Sequence, residues 1–265
     1  MEAIHITDNY LINPTNPVTV NLIGAGGTGS NMLMALAKMN HALIALGHPG
    51  LHLSVYDDDT VTEANLGRQL FSESELGFYK SAVLVNRVNR SLGTNWKAVT
   101  TKFEAHHTDN YPDDGKANIY ITCVDNVNAR FGLANFLTQQ GNNSRYERNK
   151  PLYWLDFGNS RSTGQAVLST VSAIEQPRSE KYRTVAVLPK ITDEFATLLA
   201  ESEREDDTPS CSLAEALEKQ ELYINPTLAN LGASLLFRMF REGLLFNRGF
   251  FMNLSDFRLQ PLKIT

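Results

Sequence analysis

Cysteine is nearly missing from this chain: of 265 residues only Cys123 and Cys211 are cysteines. Two thiols so far apart imply no disulfide framework, and no Cys-x-x-Cys pair is present to build a tetrahedral zinc site. A reducing cytoplasm is the expected setting. Neither sign of charge dominates. The 24 Lys and Arg against 29 Asp and Glu leave a net charge of −5, which argues against broad binding to nucleic acid or anionic membrane. No apolar run approaches the roughly 20 residues that span a bilayer. The opening MEAIHITDNYLINPTNP lacks a basic stretch followed by an apolar one, so it does not read as a secretory signal. Lysine and arginine are absent from the first 37 positions, the first being Lys38.

Hydrophobic residues are present in ordinary measure, 42%, enough for one large core. The expected organisation is a single domain over residues 1–265. Its nucleotide-binding core would be 18–160 and its C-terminal part 161–265, with a mobile linker near 201–210. Residues 1–17 read as an arm or edge strand. VTVNLI at 18–23 reads as a buried strand, and NMLMALAKMNHALIAL from Asn31 as a helix stopped by Gly47, Pro49 and Gly50. Further strands are expected at 51–56, 96–103, 117–124, 152–157 and 165–171, and helices at 76–91 and after Asn126. Residues 141–151 look like loop. The acidic run ESEREDD at 201–207 suggests an exposed connector. Ser212 to Glu215 forms a capping box, and Asn225-Pro226 an N-cap with a first-turn proline. The tail, 248–264, alternates like a hairpin. Alternating strands and helices predict an α/β fold: a Rossmann-like, mainly parallel sheet with flanking helices, extended by C-terminal strands.

A strand, then Gly24-x-Gly26-x-x-Gly29, then a helix is a dinucleotide fingerprint in its proper context. The first glycine allows the turn, the second lets backbone approach a phosphate, and the third lets helix pack on strand. Gly27 adds bare backbone and Ser30 a hydroxyl donor, and the helix N-terminus faces the anion. Asp57, ending the next strand, is a candidate ribose ligand; Asp58 or Asp59 alone reads equally as a solvated turn acid.

Hydride transfer, which the glycine loop alone would also allow, has no use for the polar residues downstream of Asp59. Arg68 and Lys80 can neutralise a triphosphate, Asn65 and Gln69 can orient phosphate or metal-bound water, and Asp125 at a strand end can hold Mg²⁺. That set suits ATP-dependent adenylation. Each has a plainer reading: Arg68 as a surface cation, Asp125 as a strand-end acid, Asn126 as a helix cap, Arg130 as partner to an acid on the helix surface.

The segments GAGGTGS, DDDTVTEANLGRQ, GFYK and CVDNVNAR together resemble the ThiF/MoeB/HesA family, bacterial relatives of ubiquitin-activating enzymes. The likeness is strong over residues 18–160 and looser beyond. PSCSLAEALEKQELYINPTLANLG looks like ThiF-family proteins of the PRTRC mobile-element system. The resemblance implies a phosphate loop at Gly24, Gly26, Gly27 and Gly29. It implies ribose contact by Asp57 with support from Asp59, triphosphate contact by Asn65, Arg68, Gln69 and Lys80, Mg²⁺ at Asp125, and a pocket shaped by Asn126 and Arg130. The implied substrates are ATP and the C-terminal carboxylate of a small ubiquitin-like or sulfur-carrier protein with a Gly-rich tail, and a homodimer is implied.

Three departures stand out. Thr28 replaces a usual aliphatic residue, the His-Pro-Gly connector lengthens the first helix region, and no arginine precedes the glycine loop. Arg161 or Lys38 would have to replace that charge; otherwise the chain is a catalytically weak nucleotide-binding assembly module. Cys211, ahead of a capped helix, reads either as a thioester acceptor or as a small buried residue, with the acidic run raising its pKa. Cys123 reads as core, and His106-His107 as loop.

Overall fold

The β-branched run from Val18 to Ile23 forms the strand about which everything else is arranged. The computed structural model describes residues 1–103, 115–143, 148–197, 199 and 219–265. Along the chain come β1 (Ala3–Ile6), α1 (Asn9–Ile12), β2 (Val18–Ile23), α2 (Gly27–Ala45) and β3 (Leu51–Tyr56). Two 3-10 turns (Glu63–Asn65 and Glu73–Glu75) lead to α3 (Lys80–Leu92), β4 (Lys97–Val99), β5 (Ile119–Thr122) and α4 (Val127–Asn143). Next come β6 (Tyr153–Asn159), β7 (Thr163–Thr170), β8 (Arg183–Thr184), α5 (Ile191–Glu194), α6 (Ile224–Glu242), β9 (Leu244–Leu245), β10 (Asn247–Asn253) and β11 (Arg258–Lys263). Cys211, the run 201–207, the capping box at Ser212 and His106-His107 lie outside the described residues.

The main sheet has eight strands in the order β11-β10-β7-β6-β5-β2-β3-β4. Strands β4, β3, β2, β5 and β6 run parallel. Strands β7, β10 and β11 extend the sheet antiparallel. The expected Rossmann-like sheet with C-terminal extension is thus what the chain forms. From β2 the chain steps outward to β3 and β4, then returns to the other side of β2 as β5. The order reverses between β2 and β5, and in open α/β sheets the crevice at such a reversal is where ligands bind.

Period-two alternation sorts the central strands between two apolar layers. Ile119, Ile121 and Leu155 join Leu22, Leu53, Met32, Leu33, Leu36, Leu228 and Leu236 under α2 and α6. Tyr120 and Trp154 point to the opposite face, with Leu133, Phe136 and Leu137 of α4 and Ile191 of α5. Helix α6 comes so close to the sheet that a Cβ at Gly232 would stand 2.2 Å from the Phe157 ring. Among the described residues no helix is long and apolar enough to cross a membrane.

Several boundaries differ from the sequence reading, each for a local reason. The arm forms β1, which pairs with β8 and β9 in a small second sheet. His5 ties it to the body: Nδ1 is 2.7 Å from the Val185 carbonyl and Nε2 2.9 Å from the Tyr153 hydroxyl. Helix α4 runs on to Asn143, into the stretch expected to be loop. The strand expected at 96–103 is ordered only from Lys97 to Val99. Asn225 is not the cap of α6. Tyr223 occupies that place, and the Asn225 side chain instead meets Thr28 of the glycine loop.

Candidate functional site

Leaving β2, the chain turns at Gly24 with φ of +92°, a conformation open to glycine. Side chains are excluded here by close backbone. A Cβ at Gly24 would lie 2.7 Å from the Cys123 carbonyl oxygen, and one at Gly29 would lie 1.9 Å from the Gly24 carbonyl oxygen. A Cβ at Gly27 would meet Asn225 Nδ2 at 2.5 Å. Gly26 differs: nothing lies within 4 Å of where its Cβ would be. It is also the cap of α2, and being glycine it supplies no side-chain acceptor to the first turn. A 19-residue helix thus begins at a residue with bare space beside it, and helix N-termini favour anions. Ser30, expected as a hydroxyl donor to the ligand, is fully buried and its hydroxyl donates to the Gly27 carbonyl at 3.2 Å. Its side chain is engaged inside the helix.

Asp57, just past β3, closes the loop from the other side. One of its oxygens accepts from the Ala25 amide at 2.5 Å and the other from the Asp59 amide at 3.0 Å. Burial raises its pKa above the ordinary carboxylate value, although the Ala25 amide and the Lys80 charge pull it down. Asp59 is mostly exposed and pairs at 2.8 Å with Lys80 Nζ, whose side chain is only 9% exposed. Lys80 thus opens α3 while its charge is directed toward the rim at the end of β3.

The 3-10 turn after β3 positions the next group. Asn65 Oδ1 accepts from both the Thr62 amide and the Thr62 hydroxyl, at 2.9 and 3.0 Å. Its side-chain oxygen thus shapes the turn from which Arg68 and Gln69 emerge. Gln69 is buried, and among the described residues neither its Oε1 nor the buried Nε of Arg68 has a hydrogen-bond partner. Most buried polar atoms in proteins are paired, and these two, side by side on the turn beside the crevice, are candidates to meet a polar ligand. Arg68 Nη1 donates to Gln220 Oε1 at 2.6 Å. The same oxygen accepts from Asn225 Nδ2 at 2.8 Å. Asn225 Oδ1 in turn accepts from the Thr28 hydroxyl at 2.8 Å. This chain of bonds joins the arginine to the glycine loop, and it gives Thr28 a reason to be polar.

Past β5, Asp125 and Asn126 are exposed. Asn126 Oδ1 accepts from the Ala129 amide at 3.3 Å, at the start of α4. That is the capping geometry. Arg130 does not pair with a surface acid. It is buried, with Nε 3.2 Å from Asp156 Oδ1, and its Nη2 donates to the carbonyls of Val124 and Phe157 at 2.6 and 2.9 Å. It therefore fixes the strand end that carries Asp125. Asp156 also accepts from the Thr122 hydroxyl at 2.5 Å, and burial raises its pKa. Burial likewise pushes the Cys123 thiol up, which keeps it unreactive.

Glycine loop, Asp57, the Asn65–Gln69 turn and Asp125 therefore converge at the C-terminal ends of β2, β3 and β5. The ThiF family profile matches residues 14–246, which hold the whole of this assembly. The chain belongs to the ThiF family. No curated protein is significantly similar to this ThiF-family chain in sequence. Among solved structures, E. coli MccB with AMPCPP and MccA aligns at a TM-score of 0.59 and 14% identity, covering 93% of this chain and 63% of that one. PaaA aligns at 0.59 and 12% identity, with 93% and 64% covered. E. coli MccB with ATP gives 0.53 at 14% identity, with 96% and 64% covered. At such identities the likeness is one of fold, and the ThiF-family chain spans less than two thirds of the length of these neighbours.

Three residues that matter here give no local sign of it in the sequence. Gln220 carries no motif, Asn225 looks like a cap, and Asp156 lies inside an apolar strand. The one available signal is the polar Thr28 in a glycine loop, which calls for a buried partner. The two candidate replacements for the missing arginine part ways. Lys38 lies eleven residues into α2 from Gly27, roughly 16 Å along the axis. Arg161 accepts at its carbonyl from the Glu221 amide at 2.9 Å, and with Ser162, Glu221, Leu222 and Ser255 it lines a cavity of about 600 Å³ beside the 220–225 segment.

Proposed function

We propose that this ThiF-family chain binds ATP across the β2/β5 crevice and adenylates the C-terminal carboxylate of a peptide or small protein. The observation that carries this is the pairing of an uncapped glycine-loop helix with two unsatisfied buried polar atoms, on Arg68 and Gln69, joined to that loop through Gln220 and Asn225. In this reading the amides of Gly26, Gly27 and Gly29 receive phosphate where Gly26 leaves space. Gly24 makes the turn, and Asp57 takes the ribose hydroxyls with Asp59 in support. Arg68 and Lys80 neutralise the triphosphate, and Asn65 and Gln69 border it. The attacking carboxylate oxygen bonds to the α-phosphorus as the bond to pyrophosphate breaks, and fixed positive charge favours the departing anion.

Magnesium fits the same reading. It is held by one or two carboxylates together with substrate phosphates and water. Among the described residues no group of three or more His, Cys, Asp or Glu could hold a metal unaided, whereas Asp125 is a single exposed carboxylate at the crevice rim. Bound there, Mg²⁺ would offset phosphate charge. Asn126 and Arg130 act indirectly, by ordering the start of α4 and the end of β5.

The ligands in the MccB structures, ATP and MccA, support an adenine nucleotide and a small polypeptide substrate. The ubiquitin-like or sulfur-carrier partner with a Gly-rich tail, the homodimer, the PRTRC setting and thioester transfer to Cys211 are finer parts of the proposal. ATP–pyrophosphate exchange, measured with small proteins encoded beside this chain, is the test. Exchange stimulated by one of them, and lowered roughly 10²–10³-fold by Arg68→Ala, is the expected result. ATP binding without exchange for any of them would favour the second reading, a nucleotide-binding assembly module. The absence of Lys and Arg before residue 38 favours that reading.

A further inference from the structure

We infer that Gln220 is a positioning residue that holds Arg68 in place while leaving its positive charge unneutralised for the triphosphate. The inference rests on the proposal that this crevice binds ATP. Arg68 has one hydrogen-bond partner among the described residues, Gln220 Oε1 at 2.6 Å. Burial lowers its pKa, and among the described residues no acid forms an ion pair with it. A half-buried arginine is ordinarily paired with a carboxylate, which holds the guanidinium and cancels its charge. Here a neutral amide oxygen does the holding.

That oxygen is itself fixed. It accepts a second bond from Asn225 Nδ2 at 2.8 Å, and Asn225 Oδ1 accepts from Thr28 and from Asn159 Nδ2 at 3.2 Å. Asn225 is 2% exposed, so the relay is anchored in the core. With both Asn225 donor and Arg68 donor converging on one carbonyl oxygen, the amide of Gln220 cannot flip without losing two bonds. Among the described residues nothing pairs with the guanidinium Nε. The relay therefore sets two phosphate-facing parts, the glycine loop and Arg68, in a fixed relation through neutral groups alone.

A carboxylate at 220 could accept the same two hydrogen bonds, so Gln220→Glu separates positioning for charge from mere packing. Dissociation constants for ATP and adenosine are measured by calorimetry for wild type, Gln220→Glu and Gln220→Met, alongside thermal melts. The expected result is that Gln220→Glu melts at or above the wild-type temperature yet binds ATP at least roughly tenfold more weakly. Adenosine, which carries no phosphate, binds all three equally. Gln220→Met, which keeps length but removes the acceptor, also weakens ATP. If Gln220→Glu binds ATP as tightly as wild type, the charge argument fails while the ATP reading stands. If wild type itself does not bind ATP, both fail.

Discussion

Gly26 and Gly29 stand three residues apart and should answer the same substitution in opposite ways. A methyl at Gly29 would meet the Gly24 carbonyl, so Gly29→Ala distorts the loop and should cost about 1–3 kcal/mol of stability in a denaturant titration. A methyl at Gly26 meets nothing. Gly26→Ala should cost at most about 1 kcal/mol while blocking the space a phosphate would enter, seen as lost ATP binding in a protein that still folds. If Gly26→Ala bound ATP normally, the phosphate cradle would lie elsewhere. The spacing of these glycines is legible because backbone geometry imposes it locally. The engagement of Ser30 and Asn65 is not. A hydroxyl or amide that satisfies its own helix or turn looks the same in sequence as one that waits for a ligand.

At the scale of elements, the ends of β5 and β6 are joined to α4 by one buried ion pair. Asp156→Ala would leave Arg130 charged and buried, bonded only to two carbonyls, and should cost about 3–5 kcal/mol. Thermal melts would check this, and a loss below about 1 kcal/mol would mean that water reaches the arginine. Helix α6 offers a second case. Gly232→Ala should destabilise by about 1–3 kcal/mol because the added methyl would overlap the buried Phe157 ring, which would have to shift. Strand and helix identities are readable from period and composition. The partner of Arg130 is not, because Asp156 is 26 residues away and brought near only by the pairing of β5 with β6. The cap of α6 misleads for a similar reason: Asn225 is drawn inward by Thr28, which the local sequence does not announce.

For the whole molecule, acid should act first through the small sheet. Burial lowers the His5 pKa below its ordinary 6.5. The unfolded chain then binds this proton more readily than the folded one, so stability holds above pH 6.5 and falls as pH drops below it toward the folded value. His52, shifted the same way by partial burial and then by Arg148 and Lys97, adds to the slope. Asp57 and Asp156 work in the opposite sense. Their pKa values lie above 3.8, so what they contribute is present below 3.8 and is lost as pH rises through the folded values. His5→Gln should therefore flatten the decline in unfolding midpoint between about pH 6.5 and pH 5.5; an unchanged slope would remove His5 from the account. The parallel order of the sheet is foreseeable from alternating strands and helices. The second sheet is not, since β8 and β9 are two residues each and carry no period.

The Thr28–Asn225 bond joins positions 197 apart in the chain. During synthesis, the glycine loop leaves the ribosome long before the residues that complete it. Contacts of such sequence separation form late in folding. A nascent or prematurely ended chain would carry the glycine loop without the amide that seats it, and Arg68 without the oxygen that holds it. If the crevice binds ATP as proposed, capture of the nucleotide would begin only once translation has passed α6, and unfinished copies would leave it free.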